Sequence, residues 1–287
     1  MSFLLRTWIL VALLASGAAA AQTAVVIPVD DAIGPATADF VVRSLVKAAE
    51  EGADVVVLQL DTPGGLDTSM RVIIKEILSS PVPVVVYVGP QGARAASAGT
   101  YILYASHVAA MAPATNLGAA TPVMMEGPLP GDGGPGRGKP PAQDEKKGAD
   151  QEKDAAAEKQ DGTEPAPLAG DAMTRKQVND AAAYIRGLAQ MRGRNAEWAE
   201  QAVREAGSLS ARGAVGKRGI GVIPAGVDDL VRKNHGRKIP TAAGERELAT
   251  EGITVRHFEP DWRARALAVV TNPSMAYILL LVGIYGI

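Results

Sequence analysis

Short runs of continuous apolar residues alternate along this chain with longer stretches whose apolar positions recur at helical spacing. Residues 24–29, 54–60 (Asp-Val-Val-Val-Leu-Gln-Leu) and 82–88 are nearly apolar throughout, the pattern of strands buried on both faces. Residues 107–111 predict a fourth strand, and 36–51, 66–80 and 97–106 read as the helices between them. Repeated strand–helix units of this kind predict an α/β fold with a mainly parallel sheet covered by helices. Helical patterning resumes at 172–191 and again at 196–206 and 227–234, with short β runs expected at 219–223 and 253–258.

Composition breaks the rhythm between residues 126 and 170, which are rich in Gly, Pro, Lys, Asp and Glu and hold no aromatic residue. Such a stretch buries too little apolar surface to offset the entropy of ordering it, so a disordered insertion within one folded domain is expected. The two ends carry a different signal. Arg6 precedes the apolar run 8–14, and Ala18 to Ala21 offer small-residue cleavage sites before Gln22. That is the pattern of a secretory signal peptide, with an uncleaved anchor as the alternative. Either reading puts residue 22 onward outside the cytoplasm. Residues 275–287 are apolar throughout, whereas a spanning helix needs roughly 20 such residues. They read as the start of a truncated transmembrane helix, or as a C-terminal core helix.

The chain has 287 residues, of which 47% are hydrophobic, ample for a core. Its formal net charge of -2 gives no basic footprint, so no nucleic-acid partner is expected. A cysteine count of 0 excludes disulfides, zinc–thiolate sites and a cysteine nucleophile, and no metal or cofactor is expected.

Candidate chemistry gathers on two loops. In Gly92-Ala93-Arg94-Ala95-Ala96-Ser97-Ala98-Gly99 a serine stands among very small side chains, between a strand and a helix. A serine there either caps the helix or presents Oγ at the positive end of its dipole, where acyl transfer builds up negative charge. Asp61-Thr62-Pro63-Gly64-Gly65 follows a strand directly, and is either a plain turn or a loop whose bare amides bind an oxyanion. A serine nucleophile needs a base. None of His107, His235 and His257 has a context marking it as one, and Lys176, on a helix of small residues, is either solvated or the better candidate.

Three ordered motifs carry a family resemblance: Leu60 to Gly65, Gly92 to Ile102, and Ala112-Pro113-Ala114-Thr115-Asn116-Leu117-Gly118-Ala119-Ala120. Lys176-Gln177-Val178-Asn179-Asp180, Arg192-Gly193-Arg194-Asn195 and Trp198-Ala199-Glu200 extend it. Together these resemble the NfeD (nodulation efficiency D) family of membrane-bound serine proteases, whose fold is similar to the Clp protease and crotonase, with repeated ββα units. The resemblance implies Ser97 as nucleophile and Lys176 as general base of a Ser-Lys dyad. It implies an oxyanion hole from the amides of Gly65 and Ala98, with Gly64 and Gly65 binding substrate. It further implies an extracytoplasmic, membrane-associated endopeptidase that cleaves hydrophobic segments of stomatin-like (SPFH) membrane proteins, working as a homo-oligomer, dimer or higher. The expected organisation is a signal peptide at 1–21, the protease domain at 22–235, a connecting region at 236–273 and the truncated transmembrane start at 274–287. Two alternatives compete: a non-catalytic scaffold of a stomatin-like assembly, and an acyl-CoA enzyme of crotonase fold, which the secretory pattern disfavours. In physical terms a lysine base must be neutral to accept the serine proton. Its pKa must fall from about 10.4 to about 7–8, at roughly 4 kcal/mol, and burial among small apolar neighbours shifts it in that direction.

Overall fold

The structure, a computed structural model, describes residues 22–123, 169–271, 275 and 280–284. The leader read at 1–21, nearly all of the insertion read at 126–170 and most of 274–287 lie outside the described residues. Among those described, no helix is long and apolar enough to cross a membrane. The chain divides into two compact units, Met1–Pro122 with Val178–Ile287, and Val123–Gln177.

The larger unit is built on a five-stranded, all-parallel sheet. Its strands are β1 (Thr23–Val29), β2 (Val55–Leu60), β3 (Val84–Val88), β5 (Val108–Met111) and β10 (Thr254–His257), in the order β10-β1-β2-β3-β5. Alternate side chains of the apolar strands go to opposite faces, and each face has its own cover. Val25, Ile27, Val56, Leu58, Val84 and Val86 join one core with helices α1 (Pro35–Glu50), α2 (Asp67–Ser79) and α3 (Ala98–Ala105). Ala24, Val26, Val55, Val57, Val85 and Tyr87 join the other, with Leu230 and Val231 of α7 (Val227–Lys233). The near-absence of polar residues in these strands follows from burial on both sides.

Local sequence explains the helices. Pro35 opens α1, where its missing N–H costs nothing, and Phe40, Val41, Leu45 and Ala48 line its buried face. Met70, Ile73, Ile74 and Ile77 do the same for α2. All eight residues of α3 are buried, so its place is set by the elements around it. Beyond the insertion come α4 (Ala169–Met191), α5 (Ala196–Arg204) and α6 (Ala211–Gly216), with α5 capped by Asn195, whose side chain accepts the Trp198 N–H at 2.9 Å.

A second sheet of three short strands, β4 (Arg94–Ala96), β6 (Asn116–Gly118) and β7 (Ser208–Ser210), was not legible in the apolar pattern. Strand β4 pairs parallel with β6, and β6 antiparallel with β7. The strand expected at 219–223 is reduced to one bridge, Ala110 to Val222. The stretch read as connecting, 236–273, holds the hairpin β8 (Lys238–Thr241) and β9 (Gly244–Glu247), then β10 and helix α8 (Trp262–Thr271). In the smaller unit the described residues are Val123 and the first turns of α4.

Candidate active site

Ser97 links β4 to α3 with φ 49° and ψ -116°, a left-handed conformation that costs a side-chain-bearing residue about 1–3 kcal/mol. It occupies the N-cap position of α3, yet its hydroxyl makes no capping bond. Among the described residues that half-buried hydroxyl has no hydrogen-bond partner. The capping alternative is thereby excluded. The same arrangement, a serine on a strained strand-to-helix turn, characterises hydrolase nucleophile elbows.

The Pro63–Gly65 loop lies directly over this serine. A Cβ placed on Gly64 would come 2.7 Å from Ser97 Cβ and 3.2 Å from Oγ, and Gly64 has φ +121°. One on Gly65, φ +156°, would come 2.3 Å from the Ile33 carbonyl oxygen. Only glycine fits at either place. The loop is held from both sides. Ile33 N–H donates to Gly64 O at 2.8 Å and Ile33 O accepts the Leu66 N–H at 2.8 Å. Buried Thr62 accepts the Gly64 N–H on Oγ1 at 3.1 Å, and Asp61 accepts the Arg94 N–H at 3.0 Å. Two amides are left over: among the described residues, neither Gly65 N–H nor Ala98 N–H has a main-chain acceptor. Gly64, Gly65, Ser97 and Ala98 thus form one cluster, with an unbonded hydroxyl beside unbonded donors at a helix N-terminus. That arrangement can stabilise an oxyanion on a carbonyl attacked by Oγ.

The opposite end of α3 is closed by cations. Arg194 donates to Tyr104 O at 2.6 Å and to Ser106 O at 3.0 Å, and Arg192 donates to Ala105 O at 2.9 Å. Burial lowers the pKa of both guanidinium groups. Positive charge there satisfies the last carbonyls and complements the dipole whose other end faces Ser97. Within the larger unit α4 is fixed by Tyr184, stacked on Tyr101 with centroids 6.2 Å apart, and by Arg71. The Arg71 guanidinium lies 4.2 Å from the Tyr184 ring centroid and pairs with Asp67 at 2.8 Å and Asp180 at 2.7 Å.

Lys176 is on α4, four residues before Asp180, and belongs to the smaller unit. Its side chain is exposed, so the burial expected around it is not supplied by its own unit's described residues. The three histidines lie elsewhere in the fold. His107 is buried at the start of β5 and accepts the Val84 N–H on Nδ1 at 3.1 Å, and His235 accepts the Thr250 N–H at 3.0 Å. His257 pairs in β10 with Val26. Among the described residues no group of three or more His, Asp or Glu could hold a metal ion. Cavities of about 420 Å³ beside His235 and about 210 Å³ between α1 and α8 do not include Ser97. Ile33 was missed in the sequence, and Thr62 and Gly118 were visible only as members of motifs, because their contribution is made by main chain or by a short buried hydroxyl. Arg192 and Arg194 were visible as a motif without a role.

Residues 23–133 match the NfeD1b N-terminal domain. The chain is 31% identical over 288 positions to the membrane-bound protease PH1510 of Pyrococcus horikoshii, covering 99% of this chain and 56% of that protein. It is 42% identical over 107 residues to the membrane protein NfeD1b of Bacillus subtilis, covering 37% of this chain and 24% of that one. The chain therefore spans about half the length, or less, of these two relatives. Three solved structures of the 1510-N membrane-bound stomatin-specific protease share the fold. A lysine-to-alanine variant in complex with a substrate peptide gives a TM-score of 0.67 at 29% identity, over 88% of this chain and 99% of that one. A serine-to-alanine variant gives 0.65 at 30%, over 84% and 100%. The Pyrococcus horikoshii enzyme specific for a stomatin homologue gives 0.64 at 27%, over 88% and 99%.

Proposed function

Because the chain belongs to the NfeD family, we propose that it is a membrane-associated serine endopeptidase with Ser97 as nucleophile and Lys176 as general base. The observation that carries this reading is the strained, uncapped Ser97 beside two unbonded amides. In the reaction Oγ attacks the scissile carbonyl carbon while Lys176 Nζ accepts the hydroxyl proton. The Gly65 and Ala98 N–H groups hold the oxyanion. Collapse breaks the C–N bond, leaves an acyl ester on Ser97, and returns the proton from Lys176 to the departing amine. Water then attacks the ester carbonyl with Lys176 again the base, the acyl C–Oγ bond breaks to release the carboxylate product, and Lys176 returns the proton to Ser97 Oγ. Lys176 is exposed, so the apolar surroundings a lysine base requires would come from an apolar substrate bound beside it.

The substrate class follows from the relatives and from the loop. A stomatin-like membrane protein is the proposed target, its apolar segment bound in extended form beside Gly64 and Gly65, with backbone pairing for affinity and apolar pockets for preference. The secretory pattern around Arg6 and residues 8–14, the apolar run 275–287 and the membrane-bound relatives support an extracytoplasmic site close to a membrane. The exposed Lys176 favours a second reading, a scaffold that retains the fold without catalysis.

A fluorophosphonate probe separates them. The enzyme reading expects labelling at Ser97 and cleavage of peptides with consecutive apolar residues, both abolished in Ser97→Ala with unfolding unchanged. Lys176→Ala loses activity and Lys176→Arg does not restore it, since guanidinium stays protonated. Undiminished turnover in Ser97→Ala removes the protease reading, and an unlabelled, inactive wild type supports the scaffold.

A further inference from the structure

The backbone at Ser97 stores strain, and strain persists only where neighbouring groups over-determine the conformation. Those groups meet at Thr100, three residues into the turn. Thr100 is fully buried, with 0% exposure. Its Oγ1 lies 2.9 Å from Ala95 O and 3.1 Å from Gly118 O. Its N–H donates to Ser97 O at 2.9 Å, and Ser97 N–H donates to the same Gly118 O at 3.1 Å. A helical threonine ordinarily turns its hydroxyl to a carbonyl three or four residues back in its own helix. Here the hydroxyl reaches past the helix start to Ala95 in β4 and across to Gly118 in β6. One side chain therefore ties together the strand before Ser97, the strand beside it and the helix after it.

We propose that Thr100 is the positioning residue of this site, its hydroxyl holding the Ser97 turn in the conformation that presents Oγ to substrate. The inference rests on Ser97 as nucleophile and goes beyond it by assigning what fixes that nucleophile. Valine has the shape of threonine without the hydroxyl, so Thr100→Val removes the tie and leaves the Ala95 and Gly118 carbonyls without that donor. Serine keeps the hydroxyl and loses only a methyl group.

The test compares Thr100→Val and Thr100→Ser with wild type in the full chain. Three quantities are read: the rate of fluorophosphonate labelling, kcat and KM on an apolar peptide, and amide hydrogen exchange at Ser97. Thr100→Val is expected to lower labelling and kcat at least tenfold with KM within about twofold, and to speed Ser97 amide exchange at least tenfold. Thr100→Ser is expected to restore all three to within about threefold of wild type. Where Thr100→Val does not fold, Thr100→Ala, which adds no atom to the core, takes its place with the same expectations. Wild-type exchange and labelling in Thr100→Val overturn the proposal, as does an equal loss in Thr100→Ser or a loss confined to KM. An unlabelled wild type counts instead against Ser97 as nucleophile, and the exchange at its amide still reports whether Thr100 holds the turn.

Discussion

His107 makes a quantitative prediction about pH. It is 8% exposed, and its imidazole is pushed down to about 4 by burial first and then by the charges of Arg192 and Arg194. Its Nδ1 accepts the Val84 N–H, which fixes that nitrogen as unprotonated. In the unfolded chain the same group titrates near about 6.5. Between those values the unfolded state binds more protons than the folded one, so stability falls as the pH falls. The contribution is complete above pH ~6.5 and is lost progressively down to pH ~4. A displacement of that size, at ~1.4 kcal/mol per pH unit, amounts to about 3–4 kcal/mol, of which about 3 kcal/mol is lost by pH ~4. Urea unfolding followed at several pH values between 4 and 7.5, for wild type and His107→Gln, isolates the term from the carboxylates common to both. The variant, whose amide oxygen can still accept from Val84, is expected to start less stable at neutral pH and to lose about 3 kcal/mol less on acidification. Parallel pH dependences would refute the reasoning, because they require His107 to titrate alike in the folded and unfolded chains.

Two further substitutions probe the ends of α3. Gly64→Ala places a methyl group 2.7 Å from Ser97 Cβ at φ +121°, so a drop of at least ~10-fold in fluorophosphonate labelling is expected, corresponding to at least ~1.4 kcal/mol of barrier; wild-type labelling in a folded variant would contradict the placement of that loop. Arg194→Met leaves the Tyr104 and Ser106 carbonyls without their donor, which should cost about 2–4 kcal/mol in urea unfolding, with no rescue by Arg194→Lys, whose donors leave a single point and cannot span both oxygens.

The parallel sheet and its helical cover were legible because both rest on periodicity. Val55 to Leu58 and Val84 to Val88 are continuous apolar runs for the same reason that they lie in central strands: both faces are buried there. The small-residue turn at Ser97 was legible as well, since a backbone forced to positive φ among close neighbours leaves room for little beyond alanine and glycine. What the sequence left open was whether Ser97 caps the helix, and that depends on bonds between distant residues. Gly118 holds the Ser97 amide from 21 positions away, and Ile33 holds Gly64 from 31. Strands β4, β6 and β7 have three residues each, too few for any period to register, and exist because their main chains satisfy one another. The exposure of Lys176 was equally beyond reach, because a run of alanines along a helix states that neighbours are small, whereas burial depends on which surface packs against it. Periodicity records what each residue does to its own segment, and tertiary structure alone decides which segments meet.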